Sequence, residues 1–135
     1  MAESFSNFLS KKSYSSGNTQ IIIPKANGQA QSNVIGTRAV GSTSQIHSVY
    51  ITKEQTGSEV IKDVESAGVY VNIYIDDNGT KYYIGHNVCI LPYSSFYIEK
   101  TITLLSQQTL NIEYTSLNKN QATINCVCSC VDITD

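Results

Sequence analysis

From about residue 45 onward, hydrophobic and polar positions follow a pattern typical of β-structure. Short segments rich in Val, Ile, Tyr and Thr are separated by Gly, Asn, Asp and Pro at intervals of roughly 8–12 residues, the spacing expected of a sandwich or barrel. The predicted strands are 46–52, 69–76, 81–85, 88–91, 95–104 with a break near Glu99-Lys100, 109–115 and 121–131. Between the first two, the polar segment 52–67 is predicted to be a loop. The pattern predicts an all-β fold: a single antiparallel β-sandwich, jelly-roll or Ig-like, over residues 46–135.

Residues 1–45 differ from the rest because they hold nine of the 17 serines and show no sustained period. Their apolar residues occur in short clusters, chiefly Phe5, Phe8, Leu9 and Ile21, Ile22, Ile23. Ordering a segment costs roughly 1–2 kcal/mol per residue of backbone entropy, so an arm without its own core becomes ordered only against a neighbour. We therefore expect an extended N-terminal arm that docks on another subunit through these clusters. The sandwich is expected to fold without residues 1–24.

One hairpin can be predicted to its register. Asn78-Gly79 tolerates the positive φ angles of a two-residue type I′ turn, so that paired positions sum to 157. The predicted pairs are Asp76 with Lys81, Tyr74 with Tyr83, Ile75 with Tyr82, Ile73 with Ile84 and, further out, Val71 with His86. Because neighbouring side chains alternate between faces, this register places Val69, Val71, Ile73 and Ile75 inward and Tyr70, Tyr74 and Tyr83 outward.

The three outward tyrosines are candidate interface residues. Tyr70, Tyr74 and Tyr83 on one face could stack on sugars or bury against another protein. The alternative is that Tyr is simply favoured on pleated surfaces.

Composition narrows the classes of partner. The 135 residues suffice for one domain, and only 15% are charged, against about 25% in an average soluble protein. A formal net charge of -2 argues against a protein that grips phosphate backbones, so no nucleic acid is expected. No apolar run approaches the ~20 residues that span a bilayer, and residues 1–10 lack the pattern of a secretion signal. We expect no membrane association and a reducing compartment.

Cysteines 126, 128 and 130 alternate along one predicted strand, so all three face the same side. Neighbouring Cα atoms in this pattern are about 7 Å apart, too far for a good disulfide, and the C-x2-C spacing usual for zinc is absent. The favoured interpretation is that they are reduced, buried core residues. A metal site, or a disulfide to Cys89 or to another chain, is the alternative.

No catalytic arrangement stands out. His47 and His86 have no evident acid, base or nucleophile partner, and a structural role is favoured for both. Asp76 and Asp77 are better explained by turn formation than by calcium, and no phosphate-cradling glycine motif is present. We expect no enzyme, and no catalytic, metal-binding or cofactor-binding residues.

Residues of about 45–133 resemble the small β-sandwich virion proteins of tailed bacteriophages in the order of their elements. An opening strand at 46–51 and a second at 69–75 precede "TKYYIGHNV". "CILPYSSFYI" then looks like the family's apolar-Pro-x-x-Ser-apolar turn, "TITLLSQQTLNIEY" like a strand, turn and strand, and "QATINCVCSCVDI" like the closing strand. The turn before the penultimate strand carries Ser106-Gln107-Gln108, where such proteins often carry Gly-Asp.

The resemblance implies a structural component of a virion, such as a capsid decoration protein or a neck, tail or baseplate accessory. Its partners would be other virion proteins and further copies of the chain in a homo-oligomer, and it would be assembled in the host cytoplasm and located in the virion. A carbohydrate- or receptor-binding β-sandwich module is the alternative. The interface residues expected from the sequence are Phe5, Phe8, Leu9, Ile21, Ile22, Ile23, Tyr70, Tyr74 and Tyr83.

Overall fold

The computed structural model describes residues 2–14, 18–28, 34–54, 69–90, 95–115 and 122–134. In these ranges the chain is all-β, as predicted, with two antiparallel sheets packed against each other as a sandwich. The strands are β1 (Ala2–Tyr14), β2 (Thr19–Ile23), β3 (Val34–Ile35), β4 (Thr43–Glu54), β5 (Val69–Asp77), β6 (Thr80–Ile90), β7 (Ser95–Ile98), β8 (Ile102–Leu104), β9 (Gln108–Thr115) and β10 (Ala122–Thr134). The first sheet has the order β3-β1-β10-β4-β7, with β8 also paired to β4, and the second has the order β2-β9-β5-β6.

The strands predicted after residue 45 are confirmed with small shifts of their ends. The segments 81–85 and 88–90 form one strand, β6, and residue 91 lies outside the described residues. The predicted break at Glu99-Lys100 separates β7 from β8. Most of the predicted loop 52–67 lies outside the described residues, and its first residues belong to β4.

The predicted N-terminal arm is wrong for the described residues, which belong to both sheets. Strand β1 pairs with β10 along its whole length, from Ala2 opposite Thr134 to Tyr14 opposite Ala122, and β2 pairs with β9. Phe8 and Ile23 are 0% exposed and lie in the common core. The sandwich therefore extends across the boundary predicted at residue 45.

The serines of β1 obscure the alternation of hydrophobic and polar residues that is expected of a strand. The inward positions are Ser6, Phe8 and Ser10, so two of the three side chains directed at the core are small and polar. Hydrophobic periodicity is the main signal of an amphipathic strand, and serine at inward positions removes it.

The hairpin register is confirmed near its turn and wrong beyond it. Asp76 lies opposite Lys81, Ile75 opposite Tyr82 and Tyr74 opposite Tyr83. Asn78 and Gly79 have φ angles of 51° and 95°, as a type I′ turn requires. The Asp76 carboxylate accepts a hydrogen bond from the Gly79 backbone N–H at 2.9 Å, which is the turn-forming role expected of that residue.

Two bulges shift the far half of the hairpin. Ile73 lies opposite Gly85 rather than Ile84, and Val71 lies opposite Val88 rather than His86. A Cβ at Gly85 would come within 3.0 Å of Val88 Cγ2 and 3.4 Å of Ile73 Cδ1, so only glycine fits without displacement. The bulges let β6 pass close over the core, and they change which residues of β6 face outward.

The core lies between the inner faces of the two sheets. It contains Phe8, Ile22, Ile23, Val34, Ile46, Val49, Ile51, Val69, Val71, Ile73, Ile90, Leu104, Leu110, Ile112, Tyr114, Ile124, Cys126, Cys128 and Cys130. The prediction that the last three are buried free thiols is confirmed, at exposures of 2%, 0% and 2%. The Sγ atoms of Cys126 and Cys128 are 3.8 Å apart on the same face of β10.

We expect these three thiols to be inert in the folded protein. The hydrogen bond with Cys126, together with burial, raises the pKa of Cys128, and burial raises the pKa of Cys130 to about 11. Since the thiolate is the reactive form, iodoacetamide at neutral pH should modify only the exposed Cys89 of native protein, and all four cysteines after denaturation. Intact-mass spectrometry gives the count directly, and fast native modification of more than one thiol would contradict the burial.

A buried arginine joins the two sheets at one end of the sandwich. Arg38 is 0% exposed, and its guanidinium donates to the Ser44 hydroxyl at 2.9 Å and to backbone carbonyl groups. The carbonyl acceptors are those of Pro24, Ser42, Leu104, Leu105 and Gln108, at 2.9–3.2 Å. Pro24 follows β2, Ser42 precedes β4, and the other three carbonyls lie between the last residue of β8 and the first residue of β9. One side chain thus donates hydrogen bonds to backbone carbonyl groups near the ends of strands from both sheets.

The negative charge nearest to Arg38 belongs to Asp132, and the Ser44 hydroxyl bridges the two side chains. Ser44 Oγ donates to the Asp132 carboxylate at 2.6 Å, and Ser6 donates to the other carboxylate oxygen at 3.3 Å. Burial lowers the pKa of Arg38, and the negative charge of Asp132 opposes that shift. The network connects β1, β4 and β10 to the loop that carries Arg38.

Candidate interaction surface

The outer face of the first sheet carries a row of exposed apolar side chains. Leu9 on β1 lies opposite Val127 on β10, which lies opposite Tyr50 on β4, which lies opposite Tyr97 on β7. Residues directly opposite in antiparallel strands share a face, so the four side chains form one row across four strands. Their exposures are 38%, 41%, 39% and 57% in that order. The rings of Tyr50 and Tyr97 stack at 5.8 Å with an interplanar angle of 25°.

Two further rows lie beside this one along the strands. The next row is polar, with Asn7, Ser129 and Ser48, and Ser129 donates to the Asn7 side-chain oxygen at 3.0 Å. The third row consists of Phe5, Val131, Gln45 and Thr103. Phe5 is 87% exposed, the highest exposure among the large hydrophobic side chains of the described residues. We call these three rows the aromatic face.

The aromatic face is uncharged. None of its eleven residues is Asp, Glu, Lys or Arg. Depletion of charge combined with exposed aromatic side chains is the compositional signal of the centre of a protein interface. At its border, hydrogen bonding to the Glu99 carboxylate at 2.7 Å raises the pKa of Tyr50 above its usual value and orients the ring. The composition of the face and the exposure of its aromatic side chains suit contact with another surface.

The tyrosine face predicted on the second sheet is largely covered by the chain itself. Tyr74 faces outward but is only 4% exposed, because the Lys81 ammonium lies 4.9 Å from its ring centroid and the Tyr83 ring 5.7 Å away. Tyr83 is 46% exposed and packs edge-on against His86 at 4.8 Å. Lys81 is held near Glu113 at 3.8 Å. This surface offers one substantially exposed tyrosine of the three expected.

The predicted interface residues are dispersed over the molecule. Phe8, Ile22 and Ile23 are core residues, whereas Ile21 and Tyr70 are half-buried. Phe5 and Leu9 alone of the predicted set meet on the aromatic face. In this fold the buried residues stabilise their own chain and are not available for docking.

Val127, Tyr50 and Tyr97 are not among the interface residues predicted from the sequence. Their strands carry a usable signal, because Val49-Tyr50-Ile51 and Cys126-Val127-Cys128 are apolar at successive positions. A strand with apolar residues on both faces is typical of one that is covered on both sides. In the described chain the inner side is covered by the second sheet and the outer side is open.

Within the described ranges, His, Cys, Asp and Glu side chains form no group of three or more arranged to hold a metal ion. No helix in those ranges is long and apolar enough to cross a membrane. Comparison with models of known protein families finds no match, and comparison with curated protein sequences finds none either.

Proposed function

We propose that the chain is a non-catalytic structural component of a tailed bacteriophage virion, acting as a capsid decoration protein or as a neck, tail or baseplate accessory. The observation that carries the proposal is the aromatic face: an uncharged sheet surface with five apolar side chains at least 38% exposed. The order of elements over residues of about 45–133, which resembles small virion sandwiches, supports it. The chain acts through contacts with other proteins.

The exposed apolar area of the aromatic face falls within the range of the largest patch on a monomer. Burying an aromatic residue removes roughly 150–250 Å² from water, so the exposed parts of Phe5, Tyr50 and Tyr97, with Leu9 and Val127, amount to about 500 Å². The largest apolar patch on an ordinary monomer is roughly 300–600 Å² and is often functional. A surface of this kind is stable in solution but gains free energy when a partner covers it.

The test is whether the chain is a stoichiometric part of particles. Particles released by cells that express it are banded on a density gradient, and the chain is quantified by mass spectrometry against the major shell protein. We expect a fixed ratio that survives repeated banding. In particles assembled with Val127→Lys, which places a charge in the aromatic face, the ratio should fall at least about tenfold. The matched control is Tyr82→Lys, since Tyr82 is 58% exposed on the second sheet.

A chain that is absent from purified particles would contradict the proposal. Equal occupancy of the Val127→Lys and Tyr82→Lys variants would show that the aromatic face is not the contact.

A carbohydrate- or receptor-binding module is the second candidate, and the Tyr50–Tyr97 pair favours it. The two exposed rings lie 25° from parallel, and sugars stack on such ring faces. Binding of the wild-type protein to a glycan array, lost in Tyr97→Ala and retained in Tyr82→Ala, would support this candidate. Absence of binding would leave the assembly role.

A further inference from the structure

The turn of the β5–β6 hairpin contains a chemically labile pair, Asn78-Gly79. In an Asn-Gly pair the backbone nitrogen after the asparagine can attack the side-chain carbonyl carbon, because glycine has no side chain to hinder the approach. We propose that Asn78 is a deamidation site whose reaction the folded hairpin suppresses, so that the modification accumulates only in chains whose hairpin has opened. The reaction goes beyond the proposed virion role and does not depend on it.

The reaction exchanges one amide bond for another and then consumes water. The Gly79 nitrogen forms a bond to Cγ of Asn78, the bond from Cγ to Nδ2 breaks, and Nδ2 leaves as ammonia with the proton that Gly79 loses. Water then opens the resulting succinimide ring at either carbonyl. One product is aspartate, and the other is isoaspartate, whose backbone runs through the former side chain and is longer by one atom. Water is the sole co-reactant.

Burial does not protect this pair. Asn78 and Gly79 are both exposed. A Cβ placed at Gly79 would meet no atom of the described residues within 4 Å. Water therefore reaches the turn, and the surrounding chain leaves room for the ring. Suppression of the reaction must come from the backbone of the turn itself.

The conformation of the turn holds the reacting atoms apart. The φ angles of 51° at Asn78 and 95° at Gly79 are those of a type I′ turn, in which ψ of the first central residue is about +30°. About the Cα–C bond of an L-residue, Cβ is offset from the backbone nitrogen by about 120°, so the Gly79 nitrogen lies about 150° from the Asn78 Cβ. Ring closure needs these two atoms nearly eclipsed. The peptide between the two residues must therefore rotate almost to the opposite side, which opens the turn.

A hydrogen bond opposes that rotation. The Gly79 backbone N–H donates to the Asp76 carboxylate at 2.9 Å, and rotation of the peptide breaks this bond. Two cross-strand pairs begin directly beside the turn, Asp77 with Thr80 and Asp76 with Lys81. The longer backbone of isoaspartate no longer matches these pairs, so the modified hairpin cannot close again in the same register. Deamidation is thus slow in the native hairpin and leaves the hairpin altered once it has taken place.

A second pair of the same sequence, Asn27-Gly28, provides an internal reference. It is also exposed, but it lies between β2 and β3, which belong to different sheets, and the φ angle of Asn27 is not in the left-handed region. In denatured protein both pairs should react at similar rates, because their local sequences are alike. A change confined to the hairpin should alter the native rate at Asn78 alone.

The experiment is peptide mapping by mass spectrometry of the full-length chain, incubated at neutral pH in buffer and in concentrated guanidinium chloride. Asn78 should deamidate at least about tenfold faster in denaturant than in buffer. In buffer, Asp76→Ala should accelerate deamidation of Asn78 at least about threefold, the effect of one hydrogen bond, and leave Asn27 unchanged. The matched control is Asp77→Ala, which removes a carboxylate from the same turn and keeps the bond to Gly79. Circular dichroism verifies that both variants are folded.

Three results would overturn the proposal. Equal rates at Asn78 in buffer and in denaturant would show that the turn does not suppress the reaction. An Asp76→Ala protein that reacts no faster than Asp77→Ala would remove the role of the hydrogen bond. Denatured protein that deamidates at Asn27 and not at Asn78 would show that Asn78 is not a labile site. The wild-type comparison needs no variant, so it decides the first point even if a substitution prevents folding.

Discussion

Deleting residues 2–14 will leave a chain that does not fold cooperatively. Strand β1 lies inside the first sheet, paired with β10 over its full length, so its removal exposes the hydrogen-bonding edge of β10 and takes the buried Phe8 out of the core. Each lost backbone hydrogen bond costs about 0.5–1.5 kcal/mol. Over thirteen paired residues the loss is comparable with the whole stability of a domain, about 5–15 kcal/mol. Circular dichroism and urea titration of the truncated chain give the measurement.

Two phenylalanines of β1 provide a matched pair that does not depend on a deletion. Phe8 is 0% exposed and Phe5 is 87% exposed. Phe8→Ala should lower the free energy of unfolding by about 3–5 kcal/mol, as expected for a large buried side chain. Phe5→Ala should change it by about 0.5 kcal/mol or less in dilute protein, where no partner covers the side chain. Equal urea midpoints for the two variants would mean that residues 2–14 are a detachable arm after all.

Replacing Arg38 will be nearly as damaging as replacing a large core residue. Arg38→Met removes the guanidinium donors that reach the carbonyls of Pro24, Leu104 and Gln108, and it leaves the Asp132 carboxylate without the positive charge nearby. Breaking a buried charge pair by removing one partner costs about 3–5 kcal/mol. Arg38→Lys should recover only a small part, because three donors on a point charge cannot reach acceptors arranged around a planar guanidinium.

The control for charge alone is Lys100→Met, since Lys100 is exposed and its loss should change stability by about 0.5 kcal/mol or less.

The double variant Arg38→Met with Asp132→Asn separates the two roles of the arginine. If the carboxylate is the main unpaired group, the double variant will be less destabilised than the sum of the single ones by about 0.5–3 kcal/mol. If the two effects are strictly additive, the loss of free energy of unfolding comes from the unpaired carbonyls instead. An Arg38→Met protein as stable as wild type would contradict the structural role of Arg38.

Local signals in the sequence were sufficient for the strands after residue 45 and for the turn of the β5–β6 hairpin. The Asn78-Gly79 pair determines its own turn type and the three pairs nearest to it. The register further out could not be predicted, because the bulges depend on Gly85 fitting against Val88 and Ile73, which is a tertiary contact. Turn residues thus determine the turn and the pairs beside it, whereas core packing determines the register further along the strands.

The pattern of the N-terminal third does not predict its strands, for a related reason. Ser6 and Ser10 point inward, and Ser6 reaches the Asp132 carboxylate 126 positions away. Arg38, the sole arginine of the chain, is likewise explained only by carbonyls from distant segments. Polar residues that are buried because of remote partners look like solvent-exposed residues in a linear pattern. On the aromatic face, Phe5 and Leu9 were expected to make contacts, but their neighbours on β10, β4 and β7 are set by strand order, which periodicity does not reveal.

The pairing of β1 with β10 also has a consequence for the rate of folding. Residues more than 100 positions apart along the chain are neighbours in the first sheet, from Ala2 opposite Thr134 to Tyr14 opposite Ala122. Contacts between such distant residues are slow to form, because the loop entropy is lost before they contribute stability. Until β1 and β10 meet, their unpaired edges can bind a chaperone or a second unfolded chain. Refolding of the denatured protein should therefore be slow, and its yield should fall as the protein concentration rises.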